Sequence, residues 1–177
     1  HTYSGGLQIG GGVNPENAGE YLDAGASHVI VTSYVFKDGR ISWENLNRMK
    51  ETVGKEKLVL DLSCRRKDGK YYIVTDRWQK FTDVTVTLDI MKELGSYCDE
   101  FLVHAVDVEG KARGVETELA SLLGEYKGNP VTYAGGVGSM KDIEDLRKYG
   151  KDRLDVTVGS ALDLFGGNIS FSELIKL

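Results

Sequence analysis

Cysteine and histidine are scarce in this 177-residue chain, and their scarcity excludes several kinds of site. The two cysteines, Cys64 and Cys98, stand far apart and outside any C-x-x-C spacing. The sequence therefore indicates neither a disulfide framework nor a dithiol redox motif, and it fits a reducing compartment. The three histidines, His1, His28 and His104, are too scattered to form a zinc site with the cysteines.

Long hydrophobic runs and a strong charge of one sign are also absent. No apolar run approaches the roughly 18 residues that a membrane-spanning helix requires, and no signal peptide opens the chain. The formal charge is −5, with both signs mixed along the sequence, which argues against a nucleic-acid stripe or a membrane-surface patch. The length fits a single domain over residues 1–177, and the composition indicates an intracellular protein. The sequence does not settle the compartment, so the cytoplasm and the plastid stroma both stay open.

Glycine, by contrast, is abundant, and it marks one pattern that occurs twice. Residues 7–33 contain an apolar strand, a Gly-rich turn, a helix that closes at Gly25, and a second strand that ends in a pair of hydroxyl residues. The candidate ligand-binding residues of this first copy are Gly11, Gly12, Thr32 and Ser33. Backbone N–H groups at such turns and at helix N-termini point toward a bound anion, so the pattern predicts a phosphate cradle.

The second copy lies at residues 131–160 and repeats the same order. Its candidates are Gly135 and Gly136 after one strand, and Gly159 and Ser160 after the next. Two cradles predict a ligand with two phosphates, because the βα loops of such folds converge on one site. The alternative is that these glycines serve only the turns and helix ends that any αβ unit needs.

Strands and helices alternate along the chain, which predicts an α/β fold with a parallel sheet. The predicted helices lie at 16–24, 43–53 and 140–149, with caps at Asn14, Ser42 and Ser139. A (β/α)8 barrel closes with eight strands, commonly in about 250 residues. The chain therefore carries about six βα units, and we expect two further units ahead of them in a longer protein; an open six-stranded sheet is the alternative. The predicted strands lie at 7–9, 28–32, 58–62, 101–106, 131–133 and 154–158.

One segment interrupts this alternation. Residues 66–78 predict a hairpin insertion with its turn at Asp68 and Gly69. This hairpin would hang over the carboxyl end of the sheet and carry Arg77 and Trp78 with it, and such long βα loops are where sites and lids form.

Six segments, taken in order along nearly the whole chain, resemble one enzyme family. They are LQIGGGV at 7–13, HVIVTS at 28–33, LDLSCR at 60–65, FLVHAVDVEG at 101–110, YAGGV at 133–137 and DVTVGSALDLFGG at 155–167. Together they resemble the eukaryotic, plant-like isomerases of histidine biosynthesis that act on the phosphoribosylformimino-aminoimidazole-carboxamide ribotide ProFAR. The resemblance implies a (β/α)8 barrel without metal or organic cofactor, which converts the aminoaldose ProFAR into the aminoketose PRFAR by an Amadori rearrangement.

The resemblance also implies roles for single residues. Asp61 matches the general acid of the family, and such an acid needs a raised pKa, from burial or from a nearby carboxylate. The family's general base is an aspartate on the first barrel strand, to which no residue here corresponds. Trp78 matches a loop aromatic that packs on the substrate's flat aminoimidazole, and Arg65 or Arg77 could reach a phosphate or the carboxamide. His104, as a second catalytic candidate, and Asp107, as a binding candidate, end the fourth predicted strand, while Asp163 more simply organises the last βα turn.

Two alternatives stay open from the sequence. The sister cyclase of the same pathway shares the barrel and the twin phosphate sites, although the DLSCRR and HAVDVEG segments favour the isomerase. A non-catalytic partial barrel could instead bind phosphorylated sugars only. The expected partners are a bis-phosphorylated small molecule and, through exposed edge strands, either the front of the barrel or a second copy of the chain. We expect neither nucleic acid nor membrane as a partner.

Overall fold

The computed structural model describes residues 5–110 and 114–176, and its elements alternate as the sequence predicts. The strands are β1 Gln8–Gly10, β2 His28–Val31, β3 Phe36–Lys37, β4 Arg40–Ile41, β5 Leu58–Asp61, β6 Cys64–Lys67, β7 Lys70–Thr75, β8 Lys80–Thr85, β9 Glu100–His104, β10 Val131–Ala134 and β11 Leu154–Thr157. The α-helices are α1 Ala18–Asp23, α2 Trp43–Val53, α3 Leu88–Leu94, α4 Thr117–Gly124, α5 Met140–Tyr149 and α6 Phe171–Leu174. Short 3-10 helices lie at Lys55–Lys57, Val106–Val108 and Asp163–Phe165.

Six of the strands form one parallel sheet in the order β1-β2-β5-β9-β10-β11. Each of the six strands predicted from the sequence is in this sheet, and neighbouring strands follow each other along the chain apart from the small antiparallel pieces between them. The predicted α/β class with βα units of a barrel is therefore confirmed. Within the described residues, β1 and β11 are the edges of the sheet and do not pair with each other.

The sheet curls as a barrel wall does. Gln8 Nε2 on β1 donates to Glu100 Oε2 on β9 at 2.7 Å, although two strands lie between them. In a flat sheet, β1 and β9 would be roughly 14 Å apart, at about 4.8 Å per strand. Thr132 Oγ1 on β10 donates to the other oxygen of Glu100 at 2.5 Å. These contacts place a polar layer on the concave face, near the amino ends of the strands.

The core lies between the convex face of the sheet and the helices. Alternate strand residues, such as Val29, Val31, Phe101 and Val103, are fully buried. A strand with period-two burial against a helical layer is the ordinary packing of an α/β fold. Helix α2 buries Leu46 and Met49 on this side. In the part of the chain that the structure describes, no helix is long and apolar enough to cross a membrane.

Two of the three predicted helices have the expected bounds, and the first does not. Ser42 and Ser139 accept hydrogen bonds from the backbone of Asn45 and Asp142 and so begin α2 and α5 where predicted. Helix α1 begins at Ala18 instead of residue 16, because the side chain of Asn14 accepts from two following backbone N–H groups and holds a turn there. The sequence did not predict α3 and α4.

The insertion after β5 is a three-stranded antiparallel sheet, β6-β7-β8, which we call the mouth sheet. Asp68 and Gly69 join β6 to β7 with φ of 51° and 75°, the backbone of a tight hairpin turn. The third strand, β8, extends the insertion beyond the predicted residues 66–78. Cys64 on β6 also bridges Ala105 just after β9, so the mouth sheet is fastened to the carboxyl edge of the central sheet.

Candidate active site

The carboxyl edge of the central sheet brings Thr32, Asp61 and His104 together. Asp61 ends β5 and His104 ends β9, while Thr32 directly follows β2. Because Val31 on β2 pairs with Leu60 on β5, the next residues along the two strands, Thr32 and Asp61, lie side by side. Parallel strands present their carboxyl ends at one edge, where ligands of α/β folds bind.

Asp61 is held by three hydrogen bonds. Its Oδ1 accepts from the backbone N–H and the hydroxyl of Ser63, both at 2.7 Å, and its Oδ2 accepts from Thr32 Oγ1 at 2.9 Å. Burial raises the pKa of Asp61, while these hydrogen bonds and the positive field of His104 act in the opposite direction. Burial, the first of the two causes that the sequence left open, is thus the main cause of the raised pKa.

Ser63 is a site residue that the sequence reasoning did not single out. It is 1% exposed, and it contacts both Asp61 and Trp78. An Asp followed two residues later by a small hydroxyl residue is the pattern of a side chain that closes a local turn on the backbone. Asp61, Leu62 and Ser63 have this pattern, so the sequence could have indicated Ser63 as a partner of Asp61.

Trp78 folds over the same edge. Its Nε1 donates to Ser63 Oγ at 3.3 Å, and its ring lies 4.8 Å from the His104 ring, centroid to centroid. Asp76, Arg77 and Trp78 form the turn between β7 and β8, and all three have positive φ, from 54° to 67°. Left-handed backbone is costly for residues with a Cβ, so the turn holds Trp78 in a strained conformation. No such contact brings Arg77, whose side chain is exposed, to Asp61.

His104 lies close to Asp61 and also lines a cavity at the second glycine cradle. Its Nε2 lies 2.9 Å from Glu109 Oε2, but the two atoms are not aligned as a hydrogen bond. The buried nitrogen therefore has no hydrogen-bond partner among the described residues. A buried polar atom of this kind is able to bind a ligand group.

The second glycine cradle lines a cavity of about 260 Å³. Gly135 and Gly136 are buried and have φ of 107° and 77°. A Cβ on Gly136 would lie 2.3 Å from the carbonyl oxygen of Gly114, so this position requires glycine for space as well as for φ. The structure thus brings together the predicted residues of this copy with the imidazole. The cavity is lined by His104, Glu109, Gly135, Gly136, Gly159 and Ser160, among others.

The first glycine cradle is open to solvent. Gly11 and Gly12 are exposed, have φ of 102° and 67°, and leave open space where a Cβ would stand. Ser33, which follows β2, is also exposed, as a phosphate ligand would be. The Thr32 hydroxyl donates to Asp61 in this structure, and its contact with a phosphate stays a prediction.

Arg65 and Asp107 bind each other. Arg65 Nε donates to Asp107 Oδ1 at 2.9 Å, and the backbone N–H of Arg66 donates to Oδ2 at 2.8 Å. These bonds tie β6 to the 3-10 helix that follows β9. A substrate contact by Arg65 or Asp107 stays a prediction. Asp163 accepts from the backbone N–H groups of Leu164 and Phe171 and so organises the last βα turn.

Among residues 5–110 and 114–176, no group of three or more His, Cys, Asp or Glu could hold a metal ion. The chemistry available at this edge is proton transfer by Asp61 and His104, between two glycine turns that can bind anions.

Comparison with known proteins agrees with this geometry. A family model described as histidine biosynthesis protein matches residues 1–170. A chloroplastic imidazole-4-carboxamide isomerase of Medicago truncatula, whose name describes a substrate with two 5-phosphoribosyl groups, is 58% identical over 99% of this chain and 56% of its own length. Isomerases of the same name from Yarrowia lipolytica and Saccharomyces cerevisiae are 45% and 42% identical, over 96% and 92% of this chain and 68% and 64% of their own lengths. The chain thus spans little more than half the length of its plant relative.

Proposed function

The chain belongs to the histidine biosynthesis protein family, and from that premise we propose that it carries the acid side of an aldose–ketose isomerase site that converts ProFAR into PRFAR. The observation that supports this most is Asp61, a buried carboxyl group with a raised pKa at the mouth of a curled parallel sheet. A carboxyl group of this kind holds a proton closer to neutral pH than an ordinary aspartate does, as a general acid must.

The proposed reaction begins at the ribose ring of the substrate. Asp61 protonates the ring oxygen, the ring C–O bond breaks, and its electron pair goes to that oxygen, which leaves an iminium ion. A base then removes the proton from C2, and the resulting enolamine rearranges to the ketone. Trp78 and His104, whose rings contact each other beside Asp61, would cover the planar aminoimidazole and shield this proton transfer from water.

The two glycine cradles would hold the phosphates at the ends of the substrate. Gly135, Gly136, Gly159 and Ser160 surround one cavity, and the exposed Gly11 turn with Ser33 provides the other anion site. Fixing both ends lets binding energy far from the reacting carbon position that carbon over Asp61.

The base is proposed to come from residues outside this sequence. The curated relatives are longer than the region they share with this chain, and the two edge strands leave a curled sheet unclosed within the described residues. Two further βα units, added along β1 and β11, would complete the barrel and bring an aspartate opposite Asp61. Without them we expect weak or no turnover. The name of the Medicago relative, which includes chloroplastic, supports a plastid location, and the cytoplasm is the second candidate.

The test is turnover of ProFAR by the chain alone and after mixing with a separately produced N-terminal segment of the barrel. We expect the mixture to convert ProFAR and the chain alone to be at least a hundredfold slower, because general acid and base catalysis each contribute about 10²–10⁴. Asp61→Asn in the mixture should abolish turnover while ligand binding is kept. The non-catalytic alternative predicts binding of ProFAR without turnover in every mixture.

The cyclase alternative differs from the isomerase in the substrate that it consumes. Each relative reported above is named as an isomerase, which favours the isomerase reading. A mixture that consumes PRFAR with ammonia instead of forming PRFAR from ProFAR would overturn this assignment.

A further inference from the structure

The two carboxyl oxygens of Asp61 have different hydrogen-bond donors. Oδ1 accepts two bonds from Ser63, one from its backbone N–H and one from its hydroxyl. Oδ2 accepts a single bond, from the hydroxyl of Thr32. The difference decides which oxygen can carry a proton.

A proton on Oδ1 is disfavoured. Oδ1 already accepts two bonds, and one of the donors, the backbone N–H of Ser63, cannot accept in return. The Ser63 hydroxyl, which also accepts from Trp78 Nε1, would have to turn its own hydrogen away from Oδ1 before it could accept a proton there. Oδ1 is therefore the oxygen better suited to stay an acceptor in both protonation states.

A proton on Oδ2 does have an acceptor. The Thr32 hydroxyl rotates freely, and it donates to a carboxylate as readily as it accepts from a carboxylic acid. Turning this one hydroxyl satisfies every bond when Asp61 gains its proton.

We propose that Thr32 is a positioning residue that holds the acidic proton of Asp61 on Oδ2, with Ser63 reserving Oδ1 as an acceptor. The proposal rests on the proposed role of Asp61 as the acid, and it replaces the phosphate contact that the sequence suggested for Thr32. When the Oδ2–H bond breaks, the proton goes to the ring oxygen of the substrate and the electron pair stays on Oδ2. The Thr32 hydroxyl then turns back and donates to the new carboxylate.

Other ionisable groups face this pair. The imidazole of His104 comes from β9, and the buried thiol of Cys64 comes from β6, where burial and the negative fields of Asp61, Asp107 and Glu116 raise its pKa. None of these groups donates one of the three bonds that hold Asp61. A substitution of Thr32 therefore removes one of these three bonds and leaves every ionisable group around Asp61 in place.

The first test measures the protonation of Asp61 by ¹³C NMR of the chain labelled at aspartate carboxyl carbons. The Asp61 signal is the one that Asp61→Asn removes. Thr32→Val should raise the Asp61 pKa, because the lost bond stabilises the carboxylate, and Thr32→Ser should leave it close to that of the parent chain. Ser33→Ala removes the neighbouring hydroxyl and should change nothing at Asp61. Circular dichroism checks the fold, and Thr32→Ala replaces the valine variant if that variant unfolds.

The second test uses the completed barrel described above. Thr32→Val should lower kcat about tenfold with KM unchanged, since a hydrogen bond to a charged group contributes about 1.5 kcal/mol or more. Ser33→Ala should instead raise KM. An unchanged Asp61 pKa in Thr32→Val, together with a raised KM, would assign Thr32 to the phosphate and overturn the proposal. If no mixture turns over, the proposed function fails, while the NMR result still decides the role of Thr32.

Discussion

At the scale of single residues, Asp61 and its neighbours show what a sequence can and cannot predict. The resemblance to the isomerase family pointed to Asp61 as the candidate acid, and the structure places its buried carboxyl group at the carboxyl edge of the sheet. Its hydrogen-bond partners did not stand out. Thr32 is 29 positions away and becomes a neighbour only through the register of β2 against β5, while Ser63 is hidden among ordinary polar loop residues. Register depends on the whole sheet, so local patterns do not give it.

Asp61→Asn should stabilise the chain at neutral pH. The folded pKa of Asp61 is raised, so its neutral form is favoured in the folded state. The stability that the aspartate contributes is therefore complete below its unfolded pKa and is lost as pH rises through the folded pKa. Asparagine keeps the hydrogen bonds without the buried charge. Urea unfolding between pH 4 and pH 8 should show that the free energy of unfolding of the variant increases relative to that of the parent chain as pH rises.

Asp76→Asn provides the control with the opposite sign. Lys80 lowers the pKa of this exposed aspartate, so its small contribution is present at neutral pH and is lost in acid. If the unfolding free energies of both variants changed with pH in the same direction, burial would not be the cause of the shifted Asp61 pKa.

Gly136→Ala should cost more stability than Gly12→Ala, although both residues have similar φ. At Gly12 the added Cβ meets open space, so only the left-handed backbone is penalised, by about 1–2 kcal/mol. At Gly136 the Cβ also meets the Gly114 carbonyl, and we expect about 2–4 kcal/mol in all. Urea unfolding of the two variants measures the difference. Equal losses would show that the loop around Gly114 moves aside.

At the scale of elements, the two serine-capped helices α2 and α5 and the apolar strands were predictable, and the mouth sheet was only partly so. The strands of the central sheet are short apolar runs, and α2 and α5 begin at serines that cap them. The hairpin turn at Asp68 was readable from its Asp-Gly pair. The segment that contains β8 and the start of α3 was not, because residues 81–88 alternate like a single strand and conceal the cap at Thr87.

Ser139→Ala tests whether α5 positions the second cradle. Ser139 and Asp142 bind each other reciprocally at the start of this helix, and Asp142 also accepts from the backbone of Gly138. Loss of the cap should cost about 1 kcal/mol and weaken binding of inorganic phosphate. Ser42→Ala removes the equivalent cap of α2 and should cost the same stability without affecting phosphate. Isothermal titration calorimetry and urea unfolding measure the two effects. A similar loss of phosphate affinity in both variants would contradict a local role for α5.

At the scale of the whole molecule, β1 is an open edge of the central sheet within the described residues. Each residue of β1 is exposed, and the apolar residues Leu7 and Ile9 are 59% and 36% exposed. An edge strand with exposed apolar side chains is a template for pairing with another chain. The same edge that would accept the front of the barrel is therefore open to a second copy.

Ile9→Lys should weaken both kinds of association. A buried isoleucine contributes about 1.5–3 kcal/mol, so a charged residue in its place should weaken the complex with the N-terminal barrel segment by tenfold or more. Leu164→Lys is the matched control, because Leu164 is 65% exposed and lies outside the two edge strands. Sedimentation velocity measures self-association of the chain and the complex with the segment. If Ile9→Lys and Leu164→Lys weakened association equally, general surface hydrophobicity and not the β1 edge would be its cause.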